Sequence, residues 1–336
     1  MMAMSNTELE KDMFEPAAID QSSSEKIAGE SISSLRDSMR RFFKNIGAMI
    51  SMVVVGIIIV MAIVGPHMFG YGIDDQNIRL QNLPPKISAL SWIPAFDGID
   101  QNGDAYKQKN VKKDFWFGTD TLGRDIWTRT WSGTRVSLII ALVATLVDIF
   151  IGVTYGGVAG YFGGKTDNIM QRIIEIVAGI PNLVWIILLI LVLQPGLLTI
   201  AIAITATSWL GMARLIRGEM LKLKNQEFVL ASRTLGAGDR RIIFKHLIPN
   251  SLGMIIINTM FSIPNAIFFE AFLSFIGLGI RRPEASLGSI INDGFSNLMI
   301  YPYMTLYPCI VISLLLICFN LMGDGLRDAF DPKLRR

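Results

Sequence analysis

Six long apolar runs limit what this chain can fold into more than any other feature. They cover residues 46–64, 136–156, 173–193, 197–215, 252–275 and 304–322. A helix that crosses a bilayer needs about 20 mostly apolar residues. Lipid offers no hydrogen-bond partner to the backbone, so each run is expected to be a helix. The fourth run is interrupted by Thr205, Thr207 and Ser208, but the apolar pattern resumes at once after the turn signal Gln194-Pro195-Gly196. It is counted as a span, because an odd number would strand the two basic flanks on opposite sides. Composition agrees: 18% of the 336 residues are charged, against roughly 25% in soluble domains. The expected fold class is an all-α membrane protein with six transmembrane helices.

Short-loop Lys/Arg bias sets the orientation. The stretch between the fourth and fifth runs carries Arg214, Arg217, Lys222, Lys224, Arg233, Arg240, Arg241 and Lys245. Arg40, Arg41 and Lys44 flank the first run, and the chain ends Lys333-Leu334-Arg335-Arg336. Both termini are therefore expected in the cytoplasm. The expected organisation is a cytoplasmic tail over 1–45 and a first transmembrane helix over 46–65. An extracytoplasmic segment follows over 66–133, then a transmembrane core over 134–325 with a basic cytoplasmic segment at 216–250, and a cytoplasmic tail over 326–336. Residues 1–29 are acidic and polar with no apolar core of their own, so no signal peptide is expected. Within 31–45, Ile32, Leu35, Met39 and Phe42 or Phe43 recur at helical spacing among basic residues. This predicts a helix on the inner membrane surface, held by apolar burial and anionic lipid; a solvated linker helix is the alternative. Asn82-Leu83-Pro84-Pro85 and residues 100–104 read as turns in the outer segment.

Several chemistries are excluded. A net charge of +3 with no long basic run does not suit a nucleic-acid binder. Cys309 and Cys318 lie in one apolar run and read as core residues rather than a disulfide framework. His67 and His246 belong to no set with metal-ligand spacing. The stretch AGYFGGKT (159–166) comes within one residue of a phosphate-binding loop. A working loop of that kind follows a buried strand inside a soluble α/β domain, whereas this one follows a spanning helix, so no ATP site is expected. Gly160, Gly163 and Gly164 instead allow a tight turn and close helix approach. Among intramembrane polar residues, Asn258, Asn265 and Glu270 are candidates for lining a path, with interhelical hydrogen bonding as the competing role. Glu175 is expected to pair with Arg172, and Asp148 to be a structural partner at a subunit seam. Pro181, Pro264 and Pro308 are expected to kink or break their helices.

The basic segment reads EFVLASRTLGAGDRRIIFKHLIP (227–249). It predicts a helix over 227–235, a break at Gly236-Ala237-Gly238, a second helix capped by Asp239, and a stop at Pro249. This helix–turn–helix resembles the EAA signature of ABC importer permeases, with Glu227, Ala231, Ser232, Gly236, Ile248 and Pro249 on or near its pattern; Ser232 replaces a consensus alanine. FGTDTLGRD (117–125), GTRVSL (133–138), GYFGGKTD (160–167), FLSFIGLG (272–279) and GDGLRD (323–328) resemble the C-type permease subunits of dipeptide and oligopeptide importers. The resemblance runs from about residue 40 to the C-terminus.

That resemblance implies a type I ABC importer permease fold in a bacterial inner membrane. It implies a second homologous permease subunit as heterodimer partner, two cytoplasmic ATPases that bind ATP and Mg, and an extracytoplasmic peptide-binding protein. The chain itself would carry no cofactor and no catalytic residue. Glu227, Ala231, Ser232, Arg233, Gly236, Ala237, Gly238 and Arg240 would dock in an ATPase cleft, whose closure moves them as a lever. Gly118, Asp120, Gly123, Arg124 and Asp125 would form an outer-loop motif, with the three charged residues in a local ion-pair network against residues 281–286. Trp127 and Trp131 would lie at the headgroup level. Nickel and other small solutes are carried by permeases of the same family, which keeps a non-peptide substrate open. A self-contained secondary transporter would need inverted repeats, and the six runs show no such pairing; for a membrane enzyme, no catalytic set converges.

Overall fold

A computed structural model describes residues 34–100, 103–194, 196–280 and 283–331. The chain divides into a unit of residues 1–37, of which only 34–37 are described, and a unit of residues 38–336. Ser34–Phe42 forms α1, so the amphipathic helix is present over its described part, and Ile32 lies outside it. In the larger unit, Phe42 packs with Ala48, Leu326 and Ala329.

Ile46–Val64 forms α2, started by the Asn45 side chain, which accepts the Ala48 N–H at 3.2 Å. The second crossing is one continuous helical stretch, Ile126–Phe162. It is built from α3 (Ile126–Val147), a π-helical turn (Asp148–Val153) and α4 (Thr154–Phe162). Gly164–Ala178 (α5) and Asn182–Leu193 (α6) follow, then Leu197–Leu223 (α7) and the short helix Glu227–Thr234 (α8) of the basic segment. Leu252–Phe275 (α9), Leu287–Phe295 (α10) and Tyr303–Phe330 (α11) complete the described helices of eight or more residues. The extracytoplasmic-segment candidate, by contrast, is mostly turns and short 3-10 helices, with one two-stranded antiparallel hairpin, β1 (Ile99–Asp100) and β2 (Gly103–Asp104), pairing Ile99 with Asp104.

Among the described residues, five helical stretches are long and apolar enough to cross a membrane, and α5 with α6 passes the same test only as a pair bent by 76°, which makes six if the pair is one span. The run expected at 173–193 is therefore broken where Pro181 is expected to kink or break it. The cause is local: Pro181 has no N–H to continue the ladder, and its ring disfavours helical backbone at the residue before it. Boundaries drawn from composition at 133/134, 216 and 325/326 fall inside α3, α7 and α11. Composition marks where water meets lipid, whereas a helix ends only where a cap or breaker stops it. Pro264 and Pro308 sit inside α9 and α11 without ending either helix.

Close packing on one seam follows from glycine spacing. Gly152, Gly156 and Gly160 recur every four residues and face α7. A Cβ at Gly156 would stand 2.3 Å from the Ala213 carbonyl oxygen, and one at Gly160 2.6 Å from the Met220 Cβ. Backbone contact of this kind is how helices associate in lipid, where apolar burial gives no drive. Arg217 then pairs with Asp167 through two contacts of 2.5 and 2.6 Å.

Gly163 and Gly164, at φ +67° and +53°, make the tight turn between α4 and α5. Lys165 follows in the first turn of α5, exposed, with a helix rather than a strand before it. In the assembly that the resemblance implies, Lys165→Ala is therefore expected to leave nucleotide affinity unchanged. Loss of ATP binding in a filter or fluorescence assay would overturn that assignment of the loop.

Candidate functional site

Four crossings converge on a cavity of about 430 Å³. The π turn contributes Asp148, the start of α6 contributes Asn182, α7 contributes Thr207 and Ser208, and α9 contributes Asn258, Ser262 and Asn265. Ile204, Met212, Ala266 and Phe269 form its apolar wall. The 76° bend is what brings Asn182 here, so a break in the third crossing becomes part of the lining. Asn182 accepts the Thr207 hydroxyl, Ser208 donates to Asp148, and the Asn258 amide rests on the Met212 sulfur at 3.6 Å. Asn265 is exposed and donates back to the Phe261 carbonyl at 2.8 Å.

Of the three candidate path residues, Asn258 and Asn265 meet in this cavity and Glu270 does not. Glu270 is fully buried elsewhere, accepting hydroxyls of Ser137 and Ser274, the latter at 2.8 Å. It ties α3 to α9, a structural place for a residue read as lining. Asp148, expected at a subunit seam, receives the Ser208 hydroxyl within the chain. Glu175 does pair with Arg172, at 2.8 Å on an exposed face.

The segment after α7 folds as a helix, a turn and a second helical stretch. Glu227 opens α8, where a carboxylate suits the positive helix end. Gly236 follows at φ +80°, donating its N–H to the Arg233 carbonyl at 2.9 Å, while Ala237 donates to that of Ser232 at 3.0 Å. These bonds close α8 and reverse the chain. Gly238, not Asp239, stands at the cap position of the next stretch. The Asp239 carboxylate is occupied by the Tyr161 hydroxyl at 2.6 Å, which removes it from capping. Pro249 does not stop the helix either. It sits in the first turn of Ile248–Asn250, where the winding changes from π to α and a missing N–H is tolerated, and the break comes at Ser251.

Val229, Ile242 and Leu247 are fully buried against Met220, Ile216 and Tyr161, so the turn is anchored to α4 and α7. Its tip is the opposite: Leu235 is 88% exposed. Ala231 and Arg240 are also exposed, while Ser232 donates to the Phe228 carbonyl. Arg233 lies over the Tyr161 ring at 5.3 Å, a contact within the chain. Arg240 and Arg241 instead line a surface cavity of about 770 Å³ with Phe244 and Lys245.

The outer motif is tightly built. Gly118 and Gly123 have φ of +76° and +73°, and a Cβ on Gly123 would stand 1.9 Å from the Asn77 carbonyl oxygen. The Asp120 carboxylate accepts Arg124 Nε and Arg129 Nη1, each at 2.7 Å. Arg124 also reaches Asp74 at 3.1 Å and Asp293 at 3.0 Å, and Arg129 reaches Asp293 at 3.0 Å. The ion-pair network is therefore real for Asp120 and Arg124, but Asp125 lies outside it. Asp125 caps α3, accepting the Thr128 N–H and hydroxyl at 2.9 and 2.6 Å, while burial pushes its carboxyl up. The expected contact with 281–286 comes instead from Asp293 on α10; residues 281–282 lie outside the described residues. Trp127 and Trp131 are buried rather than facing headgroups, packed with Phe69, Trp116 and Phe117. Arg129, Asp74 and Asp293 were missed from sequence, since nothing in their local spacing marks them as partners.

A bundle of helices long enough to cross a membrane, around a polar cavity and with an exposed glycine turn, is an architecture that suits a membrane permease. The profile described as "Binding-protein-dependent transport system inner membrane component" matches residues 149–336. "N-terminal TM domain of oligopeptide transport permease C" matches residues 33–85. The chain is 44% identical over 326 residues to the "Oligopeptide transport system permease protein OppC" of Bacillus subtilis, covering 97% of this chain and 98% of that one. It is 46% identical to the "Dipeptide transport system permease protein DppC" of the same organism, covering 91% and 88%. The corresponding DppC of Lactococcus lactis is 44% identical, covering 93% and 94%. The chain belongs to the family of binding-protein-dependent inner membrane transport components, with the type I ABC importer permease fold. It is a multi-pass membrane protein and a non-catalytic subunit.

Proposed function

We propose that this chain forms half of the membrane pathway of an ATP-driven importer of dipeptides or oligopeptides. The observation that carries the reading is its identity of 44–46% to permeases named for those substrates, over nearly the whole chain. The cavity supports it: side-chain amides and hydroxyls suit the amide groups of a peptide, and the apolar wall tolerates varied side chains. A second homologous permease completes the pathway, two ATPases bind ATP and Mg, and an extracytoplasmic binding protein delivers the solute. Residues 224–251 lie on the cytoplasmic side with both termini, α1 rests on the inner lipid surface, and residues 66–125 face outward.

The test is uptake in proteoliposomes holding both permeases and both ATPases. Labelled di- and tripeptides are expected to accumulate only with ATP inside and binding protein outside. Accumulation of nickel ions with no peptide uptake would overturn the reading in favour of a metal importer.

A further inference from the structure

Seven charged side chains are buried in the described residues, and six of them have an evident structural place. Asp120 has two guanidinium partners, Arg124 and Arg129, and Asp167 has Arg217. Asp125 caps a helix. Glu270 has hydroxyl partners and is closed off at 0% exposure, outside the lining of the 430 Å³ cavity. Asp148 is the remaining one. It is 3% exposed, yet it opens on the 430 Å³ cavity. Its carboxylate receives the Ser208 hydroxyl and has Ser262 as its other hydrogen-bond partner, both neutral. Among the described residues, no lysine or arginine lines that cavity. The nearest cation along α7 is Arg214, about one turn beyond Gly211 on the same face. It is exposed and pairs with no acid among the described residues. A carboxylate held between membrane helices without a counter-charge is costly, and such residues mark the paths of the solutes that supply one.

The backbone delivers this carboxylate in an unusual way. Asp148 opens the π turn that interrupts the second crossing. Such turns re-aim a side chain that regular winding would direct elsewhere, and they recur at functional sites. The immediately following glycines, Gly152 and Gly156, hold the turn against α7. That contact sets Asp148 beside Ser208, while Asn258 and Asn265 on α9 supply amide groups to the same space. The volume lies within the range of pockets that hold small ligands, about 300–1,000 Å³.

We propose that Asp148 is the intramembrane contact for the α-ammonium group of the peptide in transit, and so a specificity-determining residue of the pathway. The proposal rests on the peptide reading above. The α-ammonium is the one cation that every unblocked peptide presents whatever its side chains. A single fixed carboxylate amid amides and hydroxyls then suffices for many sequences, and the charge-assisted hydrogen bond replaces the water that the ammonium leaves behind.

The test uses the assembled transporter in proteoliposomes with its binding protein and two labelled tripeptides. One has a free α-amino group and the other is its desamino analogue, each supplied at a concentration that saturates the binding protein. The wild type is expected to move the free-amino peptide about tenfold faster per ATP hydrolysed. Asp148→Asn keeps the shape and both hydroxyl contacts, and is expected to erase that preference. Asp148→Glu is expected to retain it. An unchanged preference in Asp148→Asn would overturn the proposal. So would failure of both variants to assemble with the ATPases, because the residue would then be structural. If the wild type moves both peptides equally, only the role of Asp148 fails; if it moves neither, the peptide reading fails with it.

Discussion

Arg124→Ala is expected to lower the thermal midpoint of the detergent-solubilised chain sharply and to cut its yield from membranes. Arg124 is 1% exposed and holds three carboxylates at once: Asp120 at 2.7 Å, Asp293 at 3.0 Å and Asp74 at 3.1 Å. Removing it takes a buried guanidinium from all three acids, while Arg129 still reaches Asp120 and Asp293. Breaking a buried pair by deleting one partner typically costs about 3–5 kcal/mol, because the other charge stays buried and uncompensated. Whole domains are stable by only about 5–15 kcal/mol, so the loss is a large fraction of what is available. Arg124→Lys is expected to recover part of it at most, since an ammonium cannot reproduce a planar fork reaching three acids. Asp74→Asn supplies the contrast. Asp74 is 31% exposed on its side chain, and a pair so placed is worth about 0–1 kcal/mol. Burial is the largest single influence and pulls its carboxyl up, but the hydrogen bonds from Arg124 and Gln76 together with the charges of Arg124 and Arg129 outweigh it and hold the group below the usual carboxylate range. A thermal midpoint of Arg124→Ala equal to that of Asp74→Asn would show that the network does not hold the outer cap together.

The contrast between these residues shows what a single sequence carries. Periodicity and apolar length place α2, α7, α9 and α11, because lipid leaves the backbone one solution over a long apolar run. The glycine turn of the basic segment is legible for a similar reason: Gly236 needs a positive φ that other residues avoid. What stays hidden is set by contacts between distant segments. Asp293 is 169 residues from the Arg124 it binds, and nothing in its own helix announces that partner. Asp239 reads as a helix cap by spacing alone, yet Tyr161, 78 residues away, takes its carboxylate. Hydropathy alone reads α5 and α6 as one span; Pro181 marks where it breaks, but not the 76° angle. Glu270 and Asp148 are both acids in apolar runs; only tertiary packing separates the sealed one from the one that lines a cavity.

Gly236→Glu is expected to abolish peptide uptake while leaving membrane insertion intact and lowering the thermal midpoint of the chain no more than Gly236→Ala does. The argument starts from what surrounds the glycine. Its φ of +80° is a conformation that L side chains rarely adopt, so any substitution meets backbone strain, of order 1–3 kcal/mol. A Cβ there would meet nothing within 4 Å inside the chain, so steric conflict has to come from another molecule. Leu235, beside it, is 88% exposed, and an apolar side chain presented at a turn tip is what a docked partner would cover. The base of the turn behaves differently, because Val229, Ile242 and Leu247 are sealed against α7. Force applied at the tip therefore passes to a crossing that lines the cavity, through packed side chains rather than a loose tether. A glutamate at the tip adds bulk and an unpaired carboxylate to the docked surface, and burying such a charge without a partner is strongly unfavourable. Gly236→Ala separates the two contributions: it carries the strain with little bulk and no charge, and is expected to lower uptake only modestly. The measurement is uptake together with the stimulation of ATP hydrolysis by loaded binding protein, which Gly236→Glu is expected to lose. Retained stimulation with normal uptake would remove the turn from the coupling path.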